Sequence, residues 1–362
     1  MRIIHCADIH LDSAMTTNLT REQARARNME ILRTFTRMVD FAADHNVRAI
    51  MIAGDLFDSR NVSATVRNQV RDTILGHPKI DFLYLRGNHD GDNFLAKLEK
   101  IPDNLLLFGP EWMSYRYGKI VIAGLELNER NSASMYHSLM LDPERFNIVM
   151  LHGQISGYAS KDRAEVISLD KLKNHQIDYL ALGHVHDYVG GQLDARGTYA
   201  YSGCLEGRGF DECDEHGFIL VDVNEETLKA SYSFVPMAYR TLYTIPVDVT
   251  GVKTTQEAAA RMDKALARYD YSSRNMVCFL LTGKVAVESD INIDFLQERF
   301  KDYFYFEKVE DHTEVQVNYM DYEKDASLKG EFIRMVLETG LEESQKSDVI
   351  RCGIALLTGE DL

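Results

Sequence analysis

The sequence predicts a layered α/β domain, followed by a small α+β cap and two terminal helices. Three observations carry that expectation. Up to about residue 235, short apolar runs of strand length alternate with polar loops. The longest stretch between two such runs has its apolar residues at helical spacing. Around residues 236–250 the alternation gives way to a mixed strand and helix pattern. The predicted strands are 2–6, 49–53, 81–85, 119–123, 147–151 and 178–182, each too short for a helix. Between the first two, Thr20-x-x-Gln23 reads as a capping box that opens a helix. Ile31, Leu32, Phe35, Met38, Val39 and Ala42 form its buried stripe. A shorter helix is expected over 63–75, and 198–201, 217–223 and 230–235 add strands without long helices. Beyond the change of pattern, 240–249, 275–285, 303–309 and 313–319 read as strands and 254–267 and 291–300 as helices. Two amphipathic helices, 327–338 and 342–357, meet at Thr339-Gly340 and close the chain.

The composition narrows the class. With 45% hydrophobic and 27% charged residues, the chain has the make-up of a globular protein, which excludes wholesale disorder and collagen-like repeats. No apolar run approaches the roughly 18 residues of a membrane span, and the opening MRIIHCADIH reads as a strand, not a leader. Five cysteines, odd in number and without a CxxC, point to a reducing, cytoplasmic setting. The 56 acidic residues exceed the 40 Lys and Arg, for a net charge of −16, which weighs against nucleic acid as a partner. The charge is unevenly spread, however. Residues 281–362 hold 9 Lys and Arg against 19 Asp and Glu, so −10 lies there and only −6 in the other 280 residues.

Five polar clusters each follow a predicted strand: Asp8-x-His10, Gly54-Asp55-Leu56-Phe57-Asp58, Gly87-Asn88-His89-Asp90, His152-Gly153 and Gly183-His184-Val185-His186. Strand ends in a layered sheet converge on one edge, so clusters far apart in sequence can meet. Mixed imidazole, carboxylate and amide donors suit a divalent first-row metal such as Mn, Fe or Zn better than Ca or Mg. In an extended backbone, residues two apart point the same way, so Asp8 with His10 and His184 with His186 are each expected to grip one ion. Asp55 is placed to bridge two ions roughly 3.5 to 4 Å apart, the arrangement for in-line attack on phosphorus. Gly54, Gly87 and Gly183 are expected where a larger residue would crowd the ions.

This series resembles the calcineurin-like metallophosphoesterases, with their D-x-H, G-D-x-x-D, G-N-H-D, H and G-H-x-H motifs in the same order. The resemblance implies a metallophosphoesterase β-sandwich flanked by helices. It also implies one ion held by Asp8, His10 and His186, a second by Asn88, His152 and His184, and Asp55 between them. His89 would protonate the leaving oxygen, oriented by Asp90. Within the family the chain looks most similar to the SbcD-type nuclease subunits of DNA-repair complexes. That similarity rests on IIHCADIHLDS, IMIAGDLFDS, Tyr201-Ser202-Gly203-Cys204-Leu205-Glu206, Arg208-Gly209-Phe210, His216-Gly217-Phe218 and the helical Leu328-Lys329-Gly330-Glu331-Phe332. It implies a manganese-dependent DNA exonuclease, a homodimer, and an SMC-like coiled-coil ATPase docking on the C-terminal helices. The corresponding organisation is a nuclease domain over 1–238, a cap over 239–322 and docking helices over 323–362. Where archaeal and eukaryotic relatives carry a histidine this chain has Asp58, which is read as orienting a ligand.

The other readings are plainer. His5, His45, His77, His137, His175, His216 and His312 are read as structural or surface groups. Arg86 and the helical Arg21, Arg25, Arg27, Arg33 and Arg37 are read as solvated before they are read as phosphate contacts. Cys204 lacks a partner base and is not expected to be a nucleophile. A small-molecule (cyclic nucleotide) phosphodiesterase or a phosphoprotein phosphatase would carry the same metal motifs, because these specify phosphate chemistry and not what is attached to it. A binding module on a degenerate fold would be expected to have lost ligands, and none is missing.

Overall fold

The computed structural model describes residues 1–15, 19–58, 62–91, 93–98, 100–156, 166–317, 322 and 325–358. The chain divides into two compact units, Met1–Thr241 and Leu242–Leu362.

The first unit is a sandwich of two six-stranded sheets. Its strands are β1 (Arg2–Cys6), β2 (Val47–Ala53), β3 (Asp81–Leu85), β4 (Leu105–Leu107), β5 (Met113–Tyr117), β6 (Ile120–Gly124), β7 (Phe146–His152), β8 (Gln154–Ile155), β9 (Val166–Ile167), β10 (Tyr179–Gly183), β11 (Val189–Gln192), β12 (Thr198–Tyr201), β13 (Gly217–Asn224) and β14 (Lys229–Pro236). One sheet runs β14-β13-β1-β2-β3-β4 and the other β11-β12-β10-β7-β6-β5, with β8 and β9 as a separate pair. The central strands pair in parallel, β1 with β2, β2 with β3, β6 with β7 and β7 with β10. Parallel strands need both faces covered, and β7 and β10 are buried along their whole length. Ile3, Met51, Leu83 and Leu85 of one sheet meet Ile122, Ile148, Met150 and Ala181 of the other in the inter-sheet core. The opposite face of the first sheet packs on helices Arg21–Asp44 and Ala64–Gly76 through Ile31, Phe35, Val39, Val70 and Ile74.

The expected helix starts hold in detail. Thr20 accepts the Gln23 backbone N–H while the Gln23 side chain accepts from Thr20, and Ser63 caps the second helix. Five strands of this unit went unread in the sequence, the two-residue β8 and β9 and three members of the main sheets. Leu105–Leu107 is very short, Val189–Gln192 contains two glycines and resembles a turn, and Met113–Tyr117 is a largely exposed edge.

In the second unit, Leu242–Asp248, Met276–Thr282 and Phe306–Asp311 form an all-parallel three-stranded sheet. Helices Thr255–Leu266 and Ile293–Phe300 contribute Ala258, Met262, Leu296 and Phe300 to its core. The strand expected over 275–285 is two strands. Gly283, at φ +103°, separates Met276–Thr282 from Lys284–Ala286, and the latter pairs with Glu314–Gln316 instead. A side chain there would also collide with Thr250 Oγ1, 2.3 Å from its Cβ, so only glycine makes the break. The far end of the strand expected over 313–319 lies outside the described residues. The terminal helices, Leu328–Leu337 and Glu343–Thr358, belong to this unit: Ile333, Val336 and Ile350 share a core with Tyr322, and Ser347 accepts the Val315 N–H at 2.6 Å. Among the described residues no helix is long and apolar enough to cross a membrane.

Candidate metal centre

The parallel pairing puts the C-terminal ends of β1, β2 and β3 on one edge of one sheet and those of β7 and β10 on one edge of the other. The five polar clusters lie on the loops that leave these ends. Backbone hydrogen bonds fasten the first two loops together, from Asp8 to the Gly54 carbonyl (3.1 Å), His10 to Asp55 (3.0 Å) and Leu11 to Leu56 (2.9 Å).

Three overlapping donor groups result among the described residues, one of them, His10 with Asp58 and His89, at the rim. Asp8, His10 and His186 each offer a ligand atom within 4.8 Å of the others, as do Asp8, Asp55 and His152. His10 Nε2 and His186 Nε2 face each other at 3.2 Å. Asn88 Oδ1 lies 2.9 Å from His152 Nε2, and Asp55 Oδ2 lies 3.4 Å from that nitrogen and 4.0 Å from His10 Nε2. Asp8 is common to the two inner groups, and Asp55, a member of the second, also reaches toward His10 of the first. The His184 ring lies edge-on to His152, centroids 5.5 Å apart, and its backbone N–H donates to both Asp8 oxygens (3.0 and 2.9 Å).

The local reason for this convergence differs from the one the spacing suggested. Asp8 and His10 are not extended: their φ angles are +50° and +48°, and Asp55 at +49° and His184 at +108° share the left-handed region. Non-glycine residues avoid that region, and four of them at one site indicate backbone strain held by the surrounding structure. Nor do His184 and His186 act as a pair. His186 turns to His10, whereas His184 stands beside His152. The glycines serve the donors directly. A Cβ on Gly54 would lie 2.0 Å from His152 Nδ1, and one on Gly87 would lie 2.2 Å from Asp55 Oδ1.

Burial sets the electrostatics. It pushes Asp8 up to about 6, and it drives His10 down to about 4. Burial also opposes charge on Asp55 and His152, but each stabilises the other. Asp55 is held well below the usual carboxylate range, and His152 is raised to about 9. A buried set of carboxylates and imidazoles of this kind is short of positive charge, which a divalent cation supplies. The donor chemistry fits such an ion: His10 Nδ1 lies 3.1 Å from Asp58 Oδ1 and His186 Nδ1 lies 2.7 Å from Glu212 Oε1. With its Nδ1–H donated to Glu212, His186 presents the Nε2 lone pair to the shared space, whereas His10 Nδ1 stands in ion-pair contact with Asp58 without a well-aligned hydrogen bond.

His89 sits at the rim. Its ring is 5.0 Å from that of His10, and its Nδ1 lies 3.9 Å from Asp58 Oδ1. Its backbone N–H donates to Asp55 Oδ1 at 2.9 Å. Asp90 accepts backbone N–H groups from Leu56 (3.3 Å), Phe57 (3.0 Å) and Gly87 (3.0 Å), so it ties the loop of His89 to the loop of Asp55. Burial, with Asp55 nearby, raises Asp90 to about 7.

Sequence reasoning did not assign Glu212 or the side chain of Arg208, although both stand directly behind the donors. Neither has a periodic or motif spacing to the histidines, so no signal beyond the quoted Arg208-Gly209-Phe210 stretch pointed to them. Arg27, read as one of five solvated helix arginines, is buried and paired with Glu206 (3.3 Å) and Glu30 (2.6 Å). Arg86 forms a two-armed pair with Glu126 at 2.9 and 2.7 Å. His5 and His216 are buried structural histidines as expected, the latter 3.2 Å from Cys204 Sγ. Burial pushes the Cys204 thiol far up, away from the reactive thiolate.

The calcineurin-like phosphoesterase family model matches residues 1–188, a span that contains every donor named above. Among curated proteins, the chain is 31% identical over 269 residues to YhaO, an uncharacterized metallophosphoesterase of Bacillus subtilis, covering 70% of this chain and 64% of that one. It is 23% identical to the DNA double-strand break repair protein Mre11 of Sulfolobus acidocaldarius, over 82% of this chain and 79% of the relative. To the Mre11 of Methanosarcina acetivorans it is 24% identical, over 68% of this chain. The match thus spans less than two thirds of the Bacillus protein and 41% of the Methanosarcina one. Motif order, donor geometry and a family match over more than half its length agree: this chain belongs to the calcineurin-like phosphoesterases.

Proposed function

We propose that this chain is a DNA phosphodiesterase, the nuclease subunit of an SbcCD-like repair complex, working as a homodimer with an SMC-like coiled-coil ATPase. The observation that carries the reading is the pair of donor groups that share Asp8, with Asp55 Oδ2 between His152 and His10 and with His89 beside them. Asp8, His10 and His186 would hold one divalent ion and Asn88, His152 and His184 the other, with Asp55 between; manganese is the proposed metal, with iron or zinc as alternatives. When bound, the ions polarise the scissile phosphate and offset charge that develops in the transition state. His89, with its side chain 27% exposed and its ring outside the two metal-holding sets, is the imidazole assigned to hand a proton to the departing sugar oxygen; His186 is about as exposed at 25% but faces His10. Asp55 fixes the His89 backbone, so metal geometry and proton donor are set by one carboxylate.

DNA as the substrate is supported by two relatives named as double-strand break repair proteins. A docking role for the terminal helices is supported by Leu328, Met335 and Leu356, which remain about two-thirds exposed on helices that already contribute other residues to a core. The test is hydrolysis of labelled linear duplex DNA, a cyclic dinucleotide and a phosphopeptide in manganese, by the wild type and Asp55→Ala. DNA cleavage abolished in the variant is expected. Cleavage of the dinucleotide or peptide alone would reassign the substrate, and full activity of the variant would overturn the two-ion assignment.

A further inference from the structure

In the first donor group, one carboxylate is hydrogen-bonded to His186 from behind, a second stands in ion-pair contact with His10, and one arginine joins the two carboxylates. Asp58 Oδ1 lies 3.1 Å from His10 Nδ1, and Glu212 Oε1 lies 2.7 Å from His186 Nδ1. Arg208 donates from Nη1 to Asp58 Oδ1 (3.0 Å) and from Nη2 to Glu212 Oε1 (2.8 Å). Its backbone N–H also donates to Glu212 Oε2 at 2.7 Å. The chain of contacts runs His10, Asp58, Arg208, Glu212, His186, and returns through the facing Nε2 atoms to His10.

The second group has no such backing at its central histidine. His152 Nδ1 meets the Ala53 carbonyl, a neutral backbone acceptor, at 3.0 Å. An imidazole that donates to a carboxylate is a better electron-pair donor than one that donates to a carbonyl, and its tautomer is more firmly fixed. A guanidinium suits the joining role because its planar fork reaches two carboxylates at fixed angles, which a lysine ammonium does not do. It also offsets two negative charges that would otherwise repel each other at the site. The loop that carries Arg208 and Glu212 is anchored independently: Glu206 accepts from Thr34 (2.6 Å) and from buried Arg27 (3.3 Å), and Arg27 also donates to the Gly207 carbonyl at 2.8 Å.

We propose that Arg208, Asp58 and Glu212 form an outer clamp of positioning residues that fixes His10 and His186 and sets the affinity of one of the two metal positions selectively. The proposal rests on the dinuclear reading of the site. Arg208 and Glu212 are the informative positions, because Asp58 also lies beside His89.

The experiment is calorimetric titration of the full chain with manganese chloride, for wild type, Arg208→Met, Arg208→Lys and Glu212→Gln. Thermal unfolding is measured with and without the metal in parallel. The wild type is expected to take up two ions. Arg208→Met and Glu212→Gln should weaken one binding step by about 10- to 100-fold and leave the other unchanged. Arg208→Lys, which keeps the charge but loses the fork, should fall between. In the metal-free proteins the unfolding temperatures should stay close, while the added stabilisation from manganese shrinks in the variants. Two unchanged steps in a folded Arg208→Met protein would overturn the clamp, as would equal weakening of both steps. A wild type that takes up fewer than two ions would instead overturn the dinuclear reading beneath it.

Discussion

His89 and Asp55 divide the chemistry between a rim and an interior. Asp55 is buried, and its two oxygens serve different purposes: one faces His152 and His10, the other accepts the His89 N–H. His89 does not share that burial, and its proposed role is proton transfer. Replacing His89 with Ala should therefore lower turnover by about 10²- to 10⁴-fold, the usual worth of a general acid, while manganese uptake stays intact. Uptake and turnover measured on the same preparation separate the roles. Loss of an ion would make His89 a ligand, which its grouping with His10 and Asp58 within 4.8 Å allows geometrically. At this scale the donors were legible because each closes a strand-length apolar run with a residue type that ligates metals. The reason the spacing offered for their convergence was wrong. The left-handed φ angles of Asp8 and His10 are a tertiary product, held by the Asp8 and His10 bonds to the second loop. Glu212 and Arg208 were not legible as supports, because hydrogen bonds between distant loops leave no periodic trace in sequence.

The strands owe their alignment to more than apolar packing. His5 on β1 crosses to the other sheet, with Nε2 3.1 Å from the Leu182 carbonyl and Nδ1 2.8 Å from the Tyr179 hydroxyl. A carbonyl only accepts, so Nε2 carries the proton and Tyr179 donates to Nδ1. The bond links the ends of β1 and β10, which lead to Asp8 and His184. Burial lowers the His5 pKa from 6.5 to about 3, a cost only partly offset by the Leu182 bond. The folded state thus binds fewer protons than the unfolded state between those values. The stability from a neutral His5 is fully present above pH 6.5 and falls as pH drops toward 3. Between pH 7.5 and 5.5 the wild type should lose roughly 1 kcal/mol more than His5→Asn, read from denaturant midpoints. Parallel pH slopes for the two proteins would refute that role. Elements with strong periodicity or caps, such as Arg21–Asp44 and Ala64–Gly76, were readable from the sequence. The break at Gly283 was not, since apolar residues resume at Val285 within strand reach, and the need for glycine comes from its positive φ and the crowding by Thr250 and Asp248.

Net charge is the whole-molecule property that pointed away from DNA. More than half of the −16 lies in residues 281–362, and the unit that carries the donors is closer to neutral. Two divalent ions would add +4 where phosphate must sit, and Arg208 offsets Asp58 and Glu212 beside them. Bulk acidity therefore describes the chain's average surface and not the potential at the site. All of this depends on a dinuclear centre at the edge of the sandwich. The most direct measurement is anomalous diffraction at the manganese edge from crystals grown with the metal. Two peaks roughly 3.5 to 4 Å apart are expected, one against Asp8, His10 and His186, the other against Asn88, His152 and His184, with Asp55 touching both. A single peak, or manganese bound away from Asp55, would contradict the account.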